Sequence, residues 1–308
     1  MVESCSRLAF LLAVVVFNIC GNGALRAQSL AEEFDLGRLT LGAGIGLMKG
    51  EANEYVYRAN GSTLSRLIWK YDNVAFGHAW MTMPVLSQLE FTLRGRMNFT
   101  DDAKMDDWDW GLDFCPGGIC HSWHPDTKLK TASALDFTAA WTIFRNEGFS
   151  LGLLAGYRFD YAKWQAMNGA SNYIETPFSG LGITYEQWWE APYIGISASW
   201  TSEQWSVGAR LIGSPLAMAR DEDIHHLRMI RFEREFDRST MWGASARVGY
   251  RWSDAFTIGL TYEWQKWDLA KGSTTLTDLN SGLSIYVPNA AGADNTMHAL
   301  SIDLSYRF

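Results

Sequence analysis

A chain of 308 residues with 47% hydrophobic side chains, 15 Trp, 28 Gly and a formal net charge of −8 can build a substantial core, which excludes a disordered chain or a small disulfide-held scaffold. A mean hydropathy of −0.12 tells against a bundle of membrane helices. The acidic balance tells against a nucleic-acid partner, because phosphate binding needs a basic face. Two classes fit this composition: a Trp-rich soluble β protein, or a membrane barrel whose lipid-facing and water-facing residues alternate and cancel in the mean.

The first element is Met1 to Ala27, which reads as a secretory signal: Arg7, an apolar run from Leu8 to Phe17, and a polar stretch ending Ala24-Leu25-Arg26-Ala27. The mature chain is then a single domain, 28–308. Removing the signal takes away Cys5 and Cys20. Cys115 and Cys120 remain, flanking the turn-rich Pro116-Gly117-Gly118-Ile119, and an exported chain meets an oxidising compartment in which such a pair closes a disulfide.

Period-two alternation dominates the mature chain. It is expected to form strands at Leu39–Leu47, Leu64–Met81, Leu89–Phe99, Leu135–Ile143, Phe149–Tyr157, Tyr193–Trp200, Trp205–Leu211, Met241–Trp252, Phe256–Trp264 and Leu300–Phe308. The clearest pair is Met241–Trp252 and Phe256–Trp264, joined only by Ser253-Asp254-Ala255. Gly42-Ala43-Gly44-Ile45-Gly46 lies within the first strand and lacks the spacing of a nucleotide-binding loop. Connections alternate between short ones, as at Arg145-Asn146-Glu147, and long ones near Ala59-Asn60-Gly61, Asp101–Lys130, Ala162–Gly180, Arg220–Met229 and Gly272–Asp294. About ten strands with such asymmetric connections, ending on the aromatic Phe308, predict an all-β transmembrane antiparallel barrel with long extracellular loops. The competing reading is a soluble all-β domain with an aromatic core.

Acidic residues gather on the long connections: Asp101, Asp102, Asp106, Asp107, Asp109 and Asp113 on one, Asp221-Glu222-Asp223 on another, with Glu51 and Glu54 near the end of the first strand. Together they would form a negative mouth that attracts cationic ligands. Two spacings carry chemistry. Asp107-Trp108-Asp109 places carboxylates at i and i+2, on one side of an extended segment, where they can share a proton. Asp223-Ile224-His225 has the same geometry, so the carboxylate can orient the imidazole as a general base.

The chain resembles the omptin proteases of Gram-negative outer membranes. The segments that carry the likeness include Glu54-Tyr55-Val56-Tyr57, Trp69-Lys70-Tyr71-Asp72-Asn73, Asp107-Trp108-Asp109-Trp110, His124-Pro125-Asp126-Thr127, Ala191-Pro192-Tyr193-Ile194-Gly195 and Asp221-Glu222-Asp223-Ile224-His225. The resemblance implies a ten-stranded barrel with a catalytic groove at its outer mouth. It implies Asp107 and Asp109 as an aspartate couple, Asp223 and His225 as the water-activating pair, and Glu54 and Asp221 as the acidic floor of a pocket for a basic side chain. Substrates would be cationic peptides or proteins cut after or between Arg and Lys, with no metal and no cofactor. Lipopolysaccharide is the family's activator; here Tyr157 matches its site, while Phe159 and Tyr161 replace polar and basic residues. The rival chemistries are Ser122 as a nucleophile with His124, and a divalent metal held by Asp107, Asp223, His225 and His226. The rival from another class is a catalytically silent outer-membrane barrel acting as adhesin or receptor.

Overall fold

The computed structural model describes residues 39–308. The expected signal at Met1–Ala27, with Cys5 and Cys20, lies outside the described residues.

Among the described residues, thirteen strand segments form one antiparallel sheet: β1 (Thr40–Tyr57), β2 (Thr63–Pro84), β3 (Leu89–Asn98), β4 (Ala103–Trp110), β5 (Ile119–His124), β6 (Lys128–Asn146), β7 (Phe149–Ser171), β8 (Phe178–Thr201), β9 (Trp205–His225), β10 (Ile230–Phe236), β11 (Ser239–Arg251), β12 (Phe256–Asp278) and β13 (Ser284–Arg307). Three pairs of segments are single staves broken in two. β3 and β4 both pair with β2, β10 and β11 both pair with β9 and β12, and β5 and β6 continue each other between β3/β4 and β7. The result is the ten staves expected. β1 pairs with β2 on one side and β13 on the other, so the sheet has no free edge. Closure matters because backbone groups in hydrocarbon have no water to bond.

The short connections lie at one end. The β6–β7 turn shows why it can be so tight: Glu147 and Gly148 both have positive φ, 46° and 83°, which suits a two-residue hairpin turn. A side chain at position 148 would also meet the carbonyl oxygen of Thr201.

The lipid-facing surface follows the alternation. Ile45, Leu153, Ile194, Ile196, Leu300 and Ile302 are all at least half exposed, while their alternate neighbours point inward. Aromatic residues such as Trp200, Trp205, Phe256 and Tyr306 cluster toward the short-turn end. Spanning a bilayer takes about 9–11 residues of tilted strand. β7, β8, β12 and β13 have 23 or 24 residues, so roughly half of each stave rises beyond the lipid.

This corrects the expectation of long loops. Most of residues 101–130, 162–180, 220–229 and 272–294 continue the strands, and the turns between them are short. Outside the lipid the outward face meets water while the inward face packs a buried core that includes Trp69, Trp164 and Tyr185, so the band of outward apolar residues ends although the hydrogen-bonded ladder continues. Asp106, Asp107 and Asp109 therefore stand on β4 and Asp221, Glu222 and Asp223 on β9, whereas Asp101, Asp102 and Asp113 lie outside the strand segments.

Inside the barrel the lumen is crossed by charge pairs: Arg158 to Glu263 at 2.8 Å and to Asp160 at 2.7 Å, Arg96 to Asp160 at 3.1 Å, and Arg247 to Asp303 at 2.5 Å. Above this layer, Trp69, Trp164 and Tyr185 pack as a trio with ring centroids 5.2–6.0 Å apart. All three are fully buried. They form the platform beneath the outer mouth.

Candidate active site

Two walls face each other across that mouth. On one, β4 carries Asp107 and Asp109 on the same face, as the i, i+2 spacing requires. Ser65 of β2 lies opposite Asp109 in register and donates its hydroxyl to Asp107 Oδ1 at 3.1 Å. Burial first, and then the charge of Asp109, push the Asp107 carboxyl up to about 8; burial also raises Asp109. Two close carboxylates cannot both ionise cheaply, so the couple holds a proton at neutral pH. Asp106 points to the other face, bonding Lys70 at 2.7 Å and His121 at 3.1 Å. A disulfide joins Cys115 to Cys120, the register partner of Asp109, and ties the β4–β5 turn.

On the opposite wall, β9 carries Asp221, Asp223 and His225 with alternating spacing. His225 Nε2 lies 2.7 Å from Asp223 Oδ2. Asp223 is completely buried, yet the charge and hydrogen bond of His225 hold its carboxyl below the ordinary range. An ionised carboxylate only accepts hydrogen bonds, so Nε2 carries a proton directed at Asp223. The guanidinium of Arg228, in the β9–β10 turn, lies against His225 Nδ1. Arg228 also acts electrostatically on Asp107 and Asp109, and His225 acts on Asp109, so both walls share one electrostatic neighbourhood.

Glu54 and Asp221 are brought together, but not as an open acidic floor. Both are almost fully buried around Arg234 of β10. Its guanidinium donates to Asp221 Oδ1 at 3.0 Å and to Glu54 Oε1 at 2.5 Å, and lies 3.7 Å from Asp223 Oδ2. The second oxygen of Asp221 accepts the Tyr185 hydroxyl at 2.9 Å. Burial raises Asp221 to about 6 against the pull of Arg234. Burial and the neighbouring aspartates also push Glu54 well above the usual carboxyl range. One guanidinium cannot easily stabilise three charged carboxylates out of water, which favours the neutral form of Glu54.

The rival chemistries gain no geometry. Ser122 is buried opposite Asp107 in the ladder, whereas the ring of His124 stacks on Phe178 and burial lowers its pKa. His226 turns to Thr184, 2.8 Å from its hydroxyl, and not toward the Asp107 wall. Motif reading missed Ser65, Arg228 and Arg234. For Arg234 a signal existed: Ile230, Phe232 and Phe236 share its face, and an arginine in an apolar alternation is a buried one.

A lumen crossed by ion pairs and stacked indoles is not that of an open channel. Fold and site together define an outer-membrane barrel whose outward mouth is equipped for acid–base chemistry. The omptin family model matches residues 36–308. The chain is 26% identical to the plasminogen activator of Yersinia pestis, over 97% of this chain and 98% of that protein. It is also 26% identical to the outer membrane protease IcsP of Shigella flexneri, over 86% and 88% of the two chains. The crystal structure of the outer membrane protease OmpT from Escherichia coli superimposes with a TM-score of 0.82 at 25% identity, covering 89% of this chain and 98% of that one. The chain therefore belongs to the omptin family and is an outer-membrane endopeptidase.

Proposed function

We propose that this endopeptidase hydrolyses cationic peptides and proteins with a water activated between the Asp223–His225 pair and the Asp107/Asp109 couple. The observation that carries the reading is the 2.7 Å contact between His225 and a buried, ionised Asp223. His225 Nδ1 takes a proton from the water once Arg228 has moved aside, and the hydroxide attacks the peptide carbonyl. Asp223 stabilises the imidazolium that forms. The shared proton of Asp107 and Asp109 is available to the developing oxyanion. The tetrahedral intermediate collapses with cleavage of the C–N bond as the His225 imidazolium returns its proton to the leaving amine, so no covalent acyl intermediate is required.

The expected basic preference has two separable parts. Attraction of a cationic chain follows from the acidic residues at the rim. A pocket for the side chain before the cut depends on Glu54 and Asp221, both of which are paired with Arg234. The outer wall at Tyr157 supports activity independent of lipopolysaccharide. There the Tyr157 hydroxyl donates to Glu190 at 2.7 Å, and Tyr161 and Lys163 both bond Glu186, and these carboxylates oppose phosphate.

The test is cleavage of a lysine- and arginine-containing peptide library by purified, refolded protein in lipopolysaccharide-free detergent, beside His225→Ala. Cleavage by the parent, abolished in a variant that still migrates as a folded heat-modifiable barrel, is the expected outcome. Equal activity of His225→Ala would refute the mechanism.

A further inference from the structure

The carboxylates suited to a substrate cation already hold one. Arg234 is 3% exposed, and its two terminal nitrogens engage Asp221, Glu54 and Asp223. Tyr185 takes the remaining oxygen of Asp221. Asp221 precedes Asp223 by two residues on the same strand face, a distance of roughly 7 Å. A substrate side chain flanking the scissile bond would therefore reach this cluster while its carbonyl sat near His225.

We propose that Arg234 is a specificity-determining residue: its guanidinium occupies the cation position built by Glu54 and Asp221, so the residue immediately before the cut is uncharged, and basic residues of the substrate bind elsewhere along the acidic rim. The inference rests on the hydrolytic reading of the site and deepens it. A second guanidinium brought against Arg234 would meet a like charge in a site where burial magnifies repulsion, and the oxygens without a partner among the described residues, Glu54 Oε2 and Asp223 Oδ1, belong to carboxyl groups that Arg234 already engages through their other oxygens. A small neutral side chain makes no such demand. Arg234 reaches this position because β10 pairs with β9 in a register that sets residue 234 opposite 221.

Two measurements test this. In the first, a peptide series varies only the residue before the cut. The parent protein is expected to show at least tenfold higher kcat/KM for Ala or Ser than for Arg. Arg234→Ser and Arg234→Gln are expected to shift that ratio toward Arg by at least tenfold. In the second, agmatine is titrated calorimetrically as a guanidinium probe: saturable binding is expected in Arg234→Ser and none in the parent. Preference of the parent for Arg or Lys before the cut would overturn the proposal. So would folded Ser and Gln variants that neither gain cleavage after Arg nor bind agmatine. If the parent cleaved nothing while Arg234→Ser bound agmatine, the occupied cation position would be supported and the hydrolytic reading would be the one to fail.

Discussion

Replacing Asp223 by Asn tests the catalytic wall most directly, because it removes one charge while keeping the shape of a side chain that is 0% exposed. Asp223 Oδ2 lies 2.7 Å from His225 Nε2. When His225 accepts a proton from water, the new positive charge is centred roughly 4 Å from the carboxylate. At an effective dielectric of about 20 that attraction is worth about 4 kcal/mol. Arg234, 3.7 Å from the same oxygen, would then face the imidazolium with less negative charge between them, which adds to the loss. The expected outcome is a fall in kcat of about 10³-fold. KM should change little, since the charge matters chiefly when the proton has moved. The assay is steady-state hydrolysis of a fluorogenic peptide by refolded protein, with heat-modifiable migration as the folding control. A folded Asp223→Asn variant that lost less than tenfold would refute the assignment of His225 and Asp223 as the water-activating pair.

Two more outcomes are expected from the same geometry. Because burial and Asp109 push Asp107 up to about 8, the protonated couple is present at neutral pH and is lost as pH rises through that value, so kcat/KM should fall on the alkaline side near pH 8. Asp109→Asn removes the like charge, favours ionised Asp107 and moves that fall to lower pH; an unmoved alkaline limb would show that the couple is not the titrating group. In the lumen, Glu263→Ala takes from Arg158 its 2.8 Å partner and from Arg96 a partner at 3.6 Å. Leaving those guanidiniums short of counter-charge should cost about 3 kcal/mol in urea unfolding followed by tryptophan fluorescence, and a cost below about 1 kcal/mol would mean that the remaining aspartates compensate.

The ten staves were legible in the chain because lipid on one side and a polar lumen on the other impose a strict two-residue period, as at Met241–Trp252. That Asp107 shares a face with Asp109, and Asp223 with His225, was legible because extended backbone puts i and i+2 on one side. Beyond the lipid the period gives no guidance, and stretches that read as loops are ladder. Only the closed sheet could bring β4 and β9, far apart in sequence, to opposite sides of one mouth. Only the β9–β10 register could place Arg234 between Glu54 and Asp221. Local spacing determines which way a side chain points, whereas the partner it meets across the barrel depends on strand number, tilt and register, properties of the whole ring and of no single segment.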